Sequence, residues 1–388
     1  MTEDHTSSTH PPLPPTTEDD RLNRLRLLRS RRVGPATYRR LLREYGSAYA
    51  ALAALPEIAN GAGVSDYRPC PEGVAIAELK AGRAAKARLV FEGDADFPSA
   101  LSEIDDAPVM LWMMGQTAVM SRPMIALVGA RNASSLGTRM ARKLAGELGE
   151  AGFTVVSGLA RGIDAVAHDA ALSSGTVAVV AGGVDVIYPA ENAALALKIA
   201  KDGLRISDQP IGLHPMARHF VARNRIISGM SMATLVVEAA AKSGSLITAR
   251  TALDQGRDVL AVPGHPFDAR ASGCNMLIRD GATLVRGASD VLEILGDPKT
   301  AAPKLPLQQA EQPLQGPDPA AEPETRNLHD TALLHQDILS RLGPNPMAED
   351  QLLRMLNAAP TAVAPILMDL ELDGKVVRQA GGLLARAN

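Results

Sequence analysis

The chain of 388 residues has few of the groups on which several protein classes depend. Its two cysteines, Cys70 and Cys274, lie far apart and match no metal-ligand spacing. A disulfide framework is therefore not expected, and a reducing compartment such as the cytoplasm fits this usage. No apolar run is long enough to span a bilayer, and residues 1–20 lack the apolar segment of a signal peptide. We therefore expect a soluble, cytoplasmic protein without a membrane partner.

Aromatic residues and positive charge are also scarce. Aromatic side chains make up 3% of the chain, and the formal net charge is −3. Few rings are available to stack bases, and the whole molecule has no positive field that would attract a nucleic acid. Any nucleic-acid site must therefore be a local patch.

The two ends of the chain predict a tail and a small helical domain. Residues 1–18 are polar and contain a proline cluster, which predicts a disordered tail. Residues 19–87 carry leucines at helical spacing, and Gly34-Pro35 opens a second helix, which predicts a helical domain of the SAM or helix-hairpin-helix type. Nine arginines between residues 21 and 43 leave two alternatives open, an auxiliary DNA surface or a solvated face.

Residues 88–296 alternate short apolar runs with helical stretches. The runs are rich in β-branched residues and almost continuously apolar, as is typical of strands buried on both faces. This alternation predicts an α/β fold with a Rossmann-like, doubly wound, mainly parallel sheet. The candidate strands are Ile125–Val128, Thr154–Ser157, Val177–Ala181, Thr234–Val237, Val259–Val262 and Thr283–Val285.

The C-terminal part predicts a linker and a winged-helix domain. Residues 297–325 are rich in Pro, Ala and Gln and lack periodicity, as linkers do. The pattern of residues 326–388 predicts three helices followed by a hairpin, Val376–Gln379 and Leu383–Ala385. The third helix, about residues 361–373, carries three acidic residues and no Lys or Arg, so we expect it to contact protein rather than duplex DNA. Tight binding of duplex DNA by residues 326–388 alone would contradict this expectation.

The turn after the first of these candidate strands combines a glycine with an arginine. Gly129 ends the strand, and a helix begins near Ser134, so free N–H groups and the helix dipole favour a phosphate there. Arg131 replaces the second glycine of the dinucleotide fingerprint, and Ser157-Gly158 stands where an acidic residue would hold a ribose. NAD is therefore not expected. Arg131 suits a nucleic-acid backbone, with a structural ion pair as the alternative.

The next two turns carry polar groups without an obvious catalytic arrangement. In Ser157–Asp164, we expect Asp164 to cap a helix and His168 to pack beside it, because no third group is in view to activate the pair. The turn Gly182–Pro189 is either a structural turn or part of a binding site. We predict no catalytic residue, metal ion or cofactor.

Two further segments predict contacts with nucleic acid. Phe220, Arg223 and Asn224 share one helical face, which can stack a base, pair with a phosphate and bind a base edge, whereas Arg225 points elsewhere and can brace the sheet. A solvated face with a buried Phe is the alternative. The loop Lys242–Ser245 opens a helix and predicts a phosphate cradle, although it is not an ATP-binding P-loop. A row of such loops at the carboxyl ends of the strands suits a polymer.

These motifs together resemble the DprA/Smf family of DNA-processing proteins. The matching stretches are Val128–Arg131, Ser157–Asp164, Gly182–Pro189, Phe220–Gly229, Ser243–Ala249, Val262–Gly264 and Gly273–Ile278 with Gly281-Ala282. The family often has Ser-Glu at Ser207-Asp208 and a proline at Val221.

The resemblance implies a non-enzymatic protein that binds incoming single-stranded DNA during natural transformation and loads RecA recombinase onto it. It also implies a homodimer that forms through the Rossmann-like domain. The motifs and the resemblance together predict these DNA-binding residues: Gly129, Arg131, Ser157, Gly158, Arg161, Phe220, Arg223, Asn224, Arg225, Lys242, Ser243, Gly244 and Ser245.

Two other functions compete with this prediction. The first is a Rossmann-like enzyme similar to the nucleotide phosphoribohydrolases, which carry a Pro-Gly-Gly-x-Gly-Thr loop. The comparable residues here are Pro263-Gly264-His265-Pro266, without that loop. The second is a transcription regulator that uses the winged helix, and the acidic third helix argues against it.

Overall fold

The computed structural model describes residues 17–299, 337–342, 347–356, 363, 367, 370, 376–379 and 383–386. The described residues belong to two compact units, one before and one after the boundary between Pro303 and Lys304. The predicted linker lies outside the described residues except for 297–299. The predicted tail does too, except that Thr17 and Glu18 begin the first helix.

Four helices precede the sheet. Pro35 occupies the first turn of the second helix, where its missing N–H costs nothing, and the Ser47 hydroxyl accepts a hydrogen bond from Ala50 N at 3.2 Å to cap the third. Leu27, Leu41 and other apolar side chains form the core between them. The helices are α1 (Thr17–Arg29), α2 (Pro35–Tyr45), α3 (Ala48–Gly61) and α4 (Glu72–Ala84).

A nine-stranded sheet follows, with the strand order β1-β2-β6-β5-β4-β3-β7-β8-β9. The seven strands from β6 to β9 in this order are parallel, and β1 and β2 pair antiparallel at one edge. The strands are β1 (Arg88–Phe91), β2 (Met110–Gly115), β3 (Met124–Val128), β4 (Thr154–Ser157), β5 (Thr176–Val179), β6 (Leu204–Ser207), β7 (Ala233–Val236), β8 (Asp258–Ala261) and β9 (Thr283–Leu284).

Helices cover both faces of the sheet, as the predicted doubly wound fold requires. Apolar residues of α5 and α6 share one core with inward-facing residues of β3 and β4, and those of α8 and α9 share another core on the opposite face. The helices are α5 (Ser135–Glu150), α6 (Ile163–Ala171), α7 (Ala193–Asp202), α8 (Ala217–Gly229), α9 (Ser245–Asp254), α10 (Ser272–Arg279) and α11 (Ala288–Leu295).

The chain reverses its direction of winding at β3, which positions the ligand crevice. β3 pairs with β4 on one side and with β7 on the other, so the loops after β3 and β7 diverge. A crevice forms at such a switch point, beyond the carboxyl ends of the strands.

The second unit contains a three-stranded sheet with the order β10-β12-β11. β10 (Met347–Ala348) precedes the helix α12 (Glu349–Leu356), and the hairpin joins β11 (Val376–Gln379) to β12 (Leu383–Arg386). The predicted hairpin is thereby confirmed. Of the predicted third helix, only Val363, Leu367 and Leu370 are described, and they are buried; its acidic residues lie outside the described residues. Among the described residues, no helix has the length and apolarity to cross a membrane.

Candidate nucleic-acid interface

A cleft of about 890 Å³ lies beyond the ends of β3 and β7. The loop after β3 forms one wall, and α8 and the loop that opens α9 form the other. Most of the predicted DNA-binding residues line this cleft: Gly129, Arg131, Phe220, Arg223, Asn224, Lys242, Ser243, Gly244 and Ser245.

An arginine and two aromatic rings meet in the cleft. The guanidinium carbon of Arg131 lies 5.3 Å from the centroid of the Phe220 ring, within the range of a cation–π contact. The Tyr188 ring lies 5.6 Å from the Phe220 ring at an interplanar angle of 57°. Tyr188 is half exposed and belongs to the turn Gly182–Pro189, so that turn contributes to the cleft. The sequence prediction did not include Tyr188, although the turn Gly182–Pro189 that contains it was considered as a possible part of a binding site.

The loop Lys242–Ser245 also lines the cleft. Lys242 is exposed, and the Ser243 and Ser245 hydroxyls lie 2.7 Å apart. The first amides of α9 already have partners, because Leu246 N and Ile247 N donate to the carbonyls of Ser243 and Gly244. A phosphate here would therefore interact with the Lys242 ammonium and with hydroxyl groups, more than with free backbone N–H groups.

The predicted phosphate site at the start of α5 is already filled by a carboxylate of the protein. Ser134 N donates to Glu238 Oε1 at 3.0 Å, and the Ser134 hydroxyl donates to Glu238 Oε2. The same hydroxyl accepts a hydrogen bond from Gly137 N at 2.9 Å and caps the helix. Because a second anion would meet the Glu238 charge, the structure does not support phosphate binding at this helix terminus.

Arg223 lies in the floor of the cleft. Its Nη1 donates to Gly158 O at 2.6 Å and also to Val179 O, so one guanidinium joins the ends of β4 and β5. Burial lowers the pKa of Arg223 to about 10, and the opposite charge of Asp164 counteracts this effect. The side chain therefore remains charged at neutral pH. Of the three residues predicted on one face, Phe220 and Asn224 are half-buried in the cleft, whereas Arg223 is buried beneath it.

Four predicted residues do not line the cleft. The buried Ser157 hydroxyl donates to Leu127 O at 2.6 Å, and the neighbouring Gly158 is also buried. Arg161 is exposed and lies 3.4 Å from Glu191. Arg225 forms an ion pair with Asp208, directly after β6, at 2.8 Å, so it braces the sheet as its position on the helix predicted.

His168 packs in the interior, as predicted. Its Nδ1 lies 2.6 Å from Thr176 Oγ1, and burial together with the Arg223 charge lowers the pKa of His168 to about 3. The imidazole is therefore neutral at physiological pH. Asp164 does not cap the helix as predicted, because it lies inside the first turn of α6, which begins after Gly162. Its Oδ2 instead accepts a hydrogen bond from Ala160 N in the preceding loop at 3.3 Å.

The charges that line the cleft are mainly positive. Arg131, Lys242 and Arg270 face the same space as the buried Arg223, and Asp164 is the one acidic residue among the lining residues. A chain with a net charge of −3 thus concentrates cations at one crevice. This is the local patch that the overall charge required.

Three family models match successive parts of the chain. They describe a DprA-like N-terminal HHH domain over residues 18–81, the DNA recombination-mediator protein A over residues 88–296, and a DprA winged helix domain over residues 318–382. The order of the three matches is the order of domains that the sequence predicted.

Individual relatives agree with these matches. The DNA processing protein DprA of Streptococcus pneumoniae is 45% identical over 198 residues, which cover 50% of this chain and 70% of the relative. The Smf protein of Synechocystis is 37% identical over 311 residues, which cover 74% of this chain and 77% of the relative.

Two solved structures have the same fold in their shared part. The X-ray structure of the pneumococcal DprA matches with a TM-score of 0.56 and 38% identity, over 65% of this chain and 90% of that one. A Helicobacter pylori DprA structure, which concerns that protein's binding of single-stranded DNA, matches with a TM-score of 0.50 and 27% identity, over 54% of this chain and 97% of that one. With a family model across the whole sheet region and relatives of this identity, the chain belongs to the DprA/Smf family of DNA-processing proteins.

Proposed function

We propose that the cleft binds single-stranded DNA and that the protein delivers the strand to RecA recombinase during natural transformation or recombination. The observation that carries this proposal is the cluster of Arg131, Phe220 and Tyr188 beside Lys242. Rings and cations together form the usual surface for a single strand. The Helicobacter pylori relative, which binds single-stranded DNA, supports the same conclusion.

The rings favour a single strand over a duplex. Bases inside a duplex are stacked on one another, so their faces are not available to Phe220 or Tyr188. In a single strand, a base can stack on a ring while its phosphates pair with Arg131 and Lys242. Asn132 and Asn224 are the two side-chain amides among the residues that line the cleft and can bond a base edge, so we expect little sequence preference.

Arg223 has a positioning role in this proposal. Its hydrogen bonds to the Gly158 and Val179 carbonyls hold together the strand ends on which the cleft is built. We expect no catalytic step, since the neutral His168 is a poor general acid at physiological pH and lies inside the protein.

The RecA partner and the homodimer rest on the family alone. A family model described as a recombination mediator covers residues 88–296. We expect the protein to accelerate the assembly of RecA on single strands, and light scattering should give the mass of a dimer. RecA assembly at the same rate with and without the protein would refute the loading role.

Fluorescence anisotropy with labelled oligo-dT tests the binding proposal. We expect tight binding that resists a duplex competitor and weakens steeply with salt. Arg131→Ala should weaken binding roughly tenfold and reduce the salt slope by about 0.7, the value for one phosphate contact on a single strand. Arg83→Ala is the matched control, because it removes an exposed arginine of α4 outside the cleft and should bind like the wild type.

Two results would contradict the proposal. Equal affinity for duplex and single strand would favour a regulator that uses the winged helix. Absence of binding, together with release of a base from a nucleotide, would favour the phosphoribohydrolase-type enzyme.

A further inference from the structure

A second cavity, of about 660 Å³, opens on the α5 side of the same sheet edge. The first turns of α5 form one wall, and the loop after β8, residues 262–268, forms the other. Val237, Val262 and Cys274 contribute apolar groups to the lining between them. Two carboxylates also line the cavity: Glu238 is already bonded to Ser134, and Asp268 forms an ion pair with Arg270 at 3.3 Å.

The α5 wall presents three cations. Arg139, Arg142 and Lys143 lie at i, i+3 and i+4 spacing on one face of the helix, and all three line the cavity. Arg142 lies 3.5 Å from Asp169, and Lys143 lies 4.0 Å from Glu147, but both pairs are exposed and therefore weak. Within the described part of the chain, Arg139 has no hydrogen-bond or ion-pair partner. A phosphate could therefore bind here without breaking a strong ion pair.

The opposite wall presents an aromatic ring that is open to solvent. His265 lines the cavity; Phe267 does not line it, is 94% exposed, and has its ring 5.6 Å from the His265 ring. The loop that carries these rings is held in place, because Asn275 bonds both the N–H and the carbonyl of Gly264, at 3.1 and 3.0 Å. A large aromatic side chain on an ordered loop beside cations is a surface on which a base can stack.

Two segments of the chain contribute to both cavities. Arg131 and Asn132 line the first cleft, and Ser134 and Leu136, only a few residues further on, line the second. Arg270 lines the first cleft, and its neighbour Ala271 lines the second. The residues that line the two cavities are therefore close neighbours along the chain at both places.

We propose that this second cavity is a further nucleotide subsite, which holds a nucleoside phosphate unit of the strand bound in the first cleft. The base stacks on Phe267 and His265, and its phosphate pairs with Arg139 and Lys143. This inference rests on the proposed binding of single-stranded DNA. A free nucleotide has the same chemistry, so the experiment must separate the two sources.

The test compares binding of oligo-dT of increasing length. With the shortest oligonucleotide that binds, Arg139→Ala and Phe267→Ala should match the wild type, because only the first cleft is filled. With longer oligonucleotides, each variant should bind roughly tenfold more weakly, and Arg139→Ala should also reduce the salt slope by about 0.7. Lys201→Ala is the control. It removes an exposed lysine at the end of α7, just before β6 begins, whereas both cavities lie beyond the carboxyl ends of the strands.

The outcomes separate the inference from the proposed function. If the Arg139 and Phe267 variants match the wild type at every length while Arg131→Ala loses affinity, the subsite is refuted and the first cleft stands. If the wild type binds no oligonucleotide, the proposed function itself fails. Binding of deoxythymidine monophosphate that Arg139→Ala abolishes, without any length-dependent loss, would assign the cavity to a free nucleotide and refute the strand assignment.

Photo-crosslinking gives an independent readout. A single 5-iododeoxyuridine, moved along the oligonucleotide, should crosslink to Phe220 or Tyr188 at one position and to Phe267 or His265 at another. Crosslinks to the first pair only, at every position, would refute the subsite.

Discussion

Phe220 and Arg223 lie three residues apart on α8, but their environments differ. Phe220 reaches the open cleft, whereas Arg223 turns inward to the carbonyls of Gly158 and Val179. A Cβ atom at Gly158 would lie 2.6 Å from the guanidinium carbon of Arg223. The glycine after β4 therefore makes room for a buried arginine of the protein, rather than for a phosphate of a ligand.

We predict that Gly158→Ala lowers the free energy of unfolding by about 1–3 kcal/mol, because the added methyl group displaces the Arg223 guanidinium. Urea unfolding followed by the fluorescence of Trp112, the single tryptophan and a buried residue of β2, measures the effect. Gly146→Ala is the control, since a Cβ at this position in α5 meets nothing within 4 Å, and it should raise stability by up to about 1 kcal/mol. Equal stability of the two variants would contradict the account of Gly158.

At the scale of elements, buried polar groups join the helices to one another and to the sheet. Arg29 on α1 lies 2.8 Å from Glu78 on α4, and Trp112 on β2 donates to the same carboxylate at 2.9 Å. Burial raises the pKa of Glu78, but the hydrogen bonds and charge of Arg29 outweigh it and hold that pKa below its usual value. The sequence left two roles open for the arginines of this region, a DNA surface or a solvated face. Arg29 has neither role, because it is held in this ion pair.

The helix α6 is attached to β5 through His168 and Thr176, and this contact should depend on pH. The pKa of His168 is about 3 in the folded protein and about 6.5 in an unfolded chain. Between these values the unfolded state binds more protons, so the stability that neutral His168 contributes is present above about pH 6.5 and is lost as the pH falls toward 3. From pH 7 to pH 5 the loss from this residue should be about 2 kcal/mol.

Urea unfolding at both pH values, with the wild type and with His168→Leu, measures this contribution. The variant should lose about 2 kcal/mol less than the wild type between pH 7 and pH 5. His214→Leu, at an exposed position, should keep the dependence of the wild type. An unchanged pH dependence in His168→Leu would show that the histidine is not buried in its neutral form.

At the scale of the whole molecule, one edge of the large sheet is open. In the part of the chain that the structure describes, β9 pairs only with β8, both of its residues are exposed, and Leu253 near the end of α9 is exposed as well. The other edge strand, β1, has its apolar side chains buried against α1 and α4. An open edge with unpaired backbone groups is a natural place for a second copy to bind.

We therefore predict that the homodimer expected for this family forms at the β9 edge. Leu284→Lys places a charge on that edge and should shift the mass measured by light scattering from dimer to monomer. Leu197→Lys is the control, since it changes an exposed leucine on α7 and should leave the mass unchanged. A Leu284→Lys variant that remains a dimer would place the interface elsewhere.

The domain boundaries and the protein-contact role of the winged helix stay predictions.

Six strands, β3 to β5 and β7 to β9, could be predicted because their apolar, β-branched runs carry a local signal. β1, β2 and β6 were not predicted. β2 is rich in methionine, and β6 carries the buried Arg205, so neither has the usual composition of a strand.

The sequence by itself determined the fold class, the family and the loops that form the sheet edge, because each depends on a local pattern or on the order of motifs along the chain. Only the tertiary structure decided which side chains face the cleft. Glu238 fills the start of α5 across 104 residues, and Arg223 reaches Gly158 across 65 residues. Contacts between such distant positions depend on how the elements pack, and no local pattern of residue types encodes that packing.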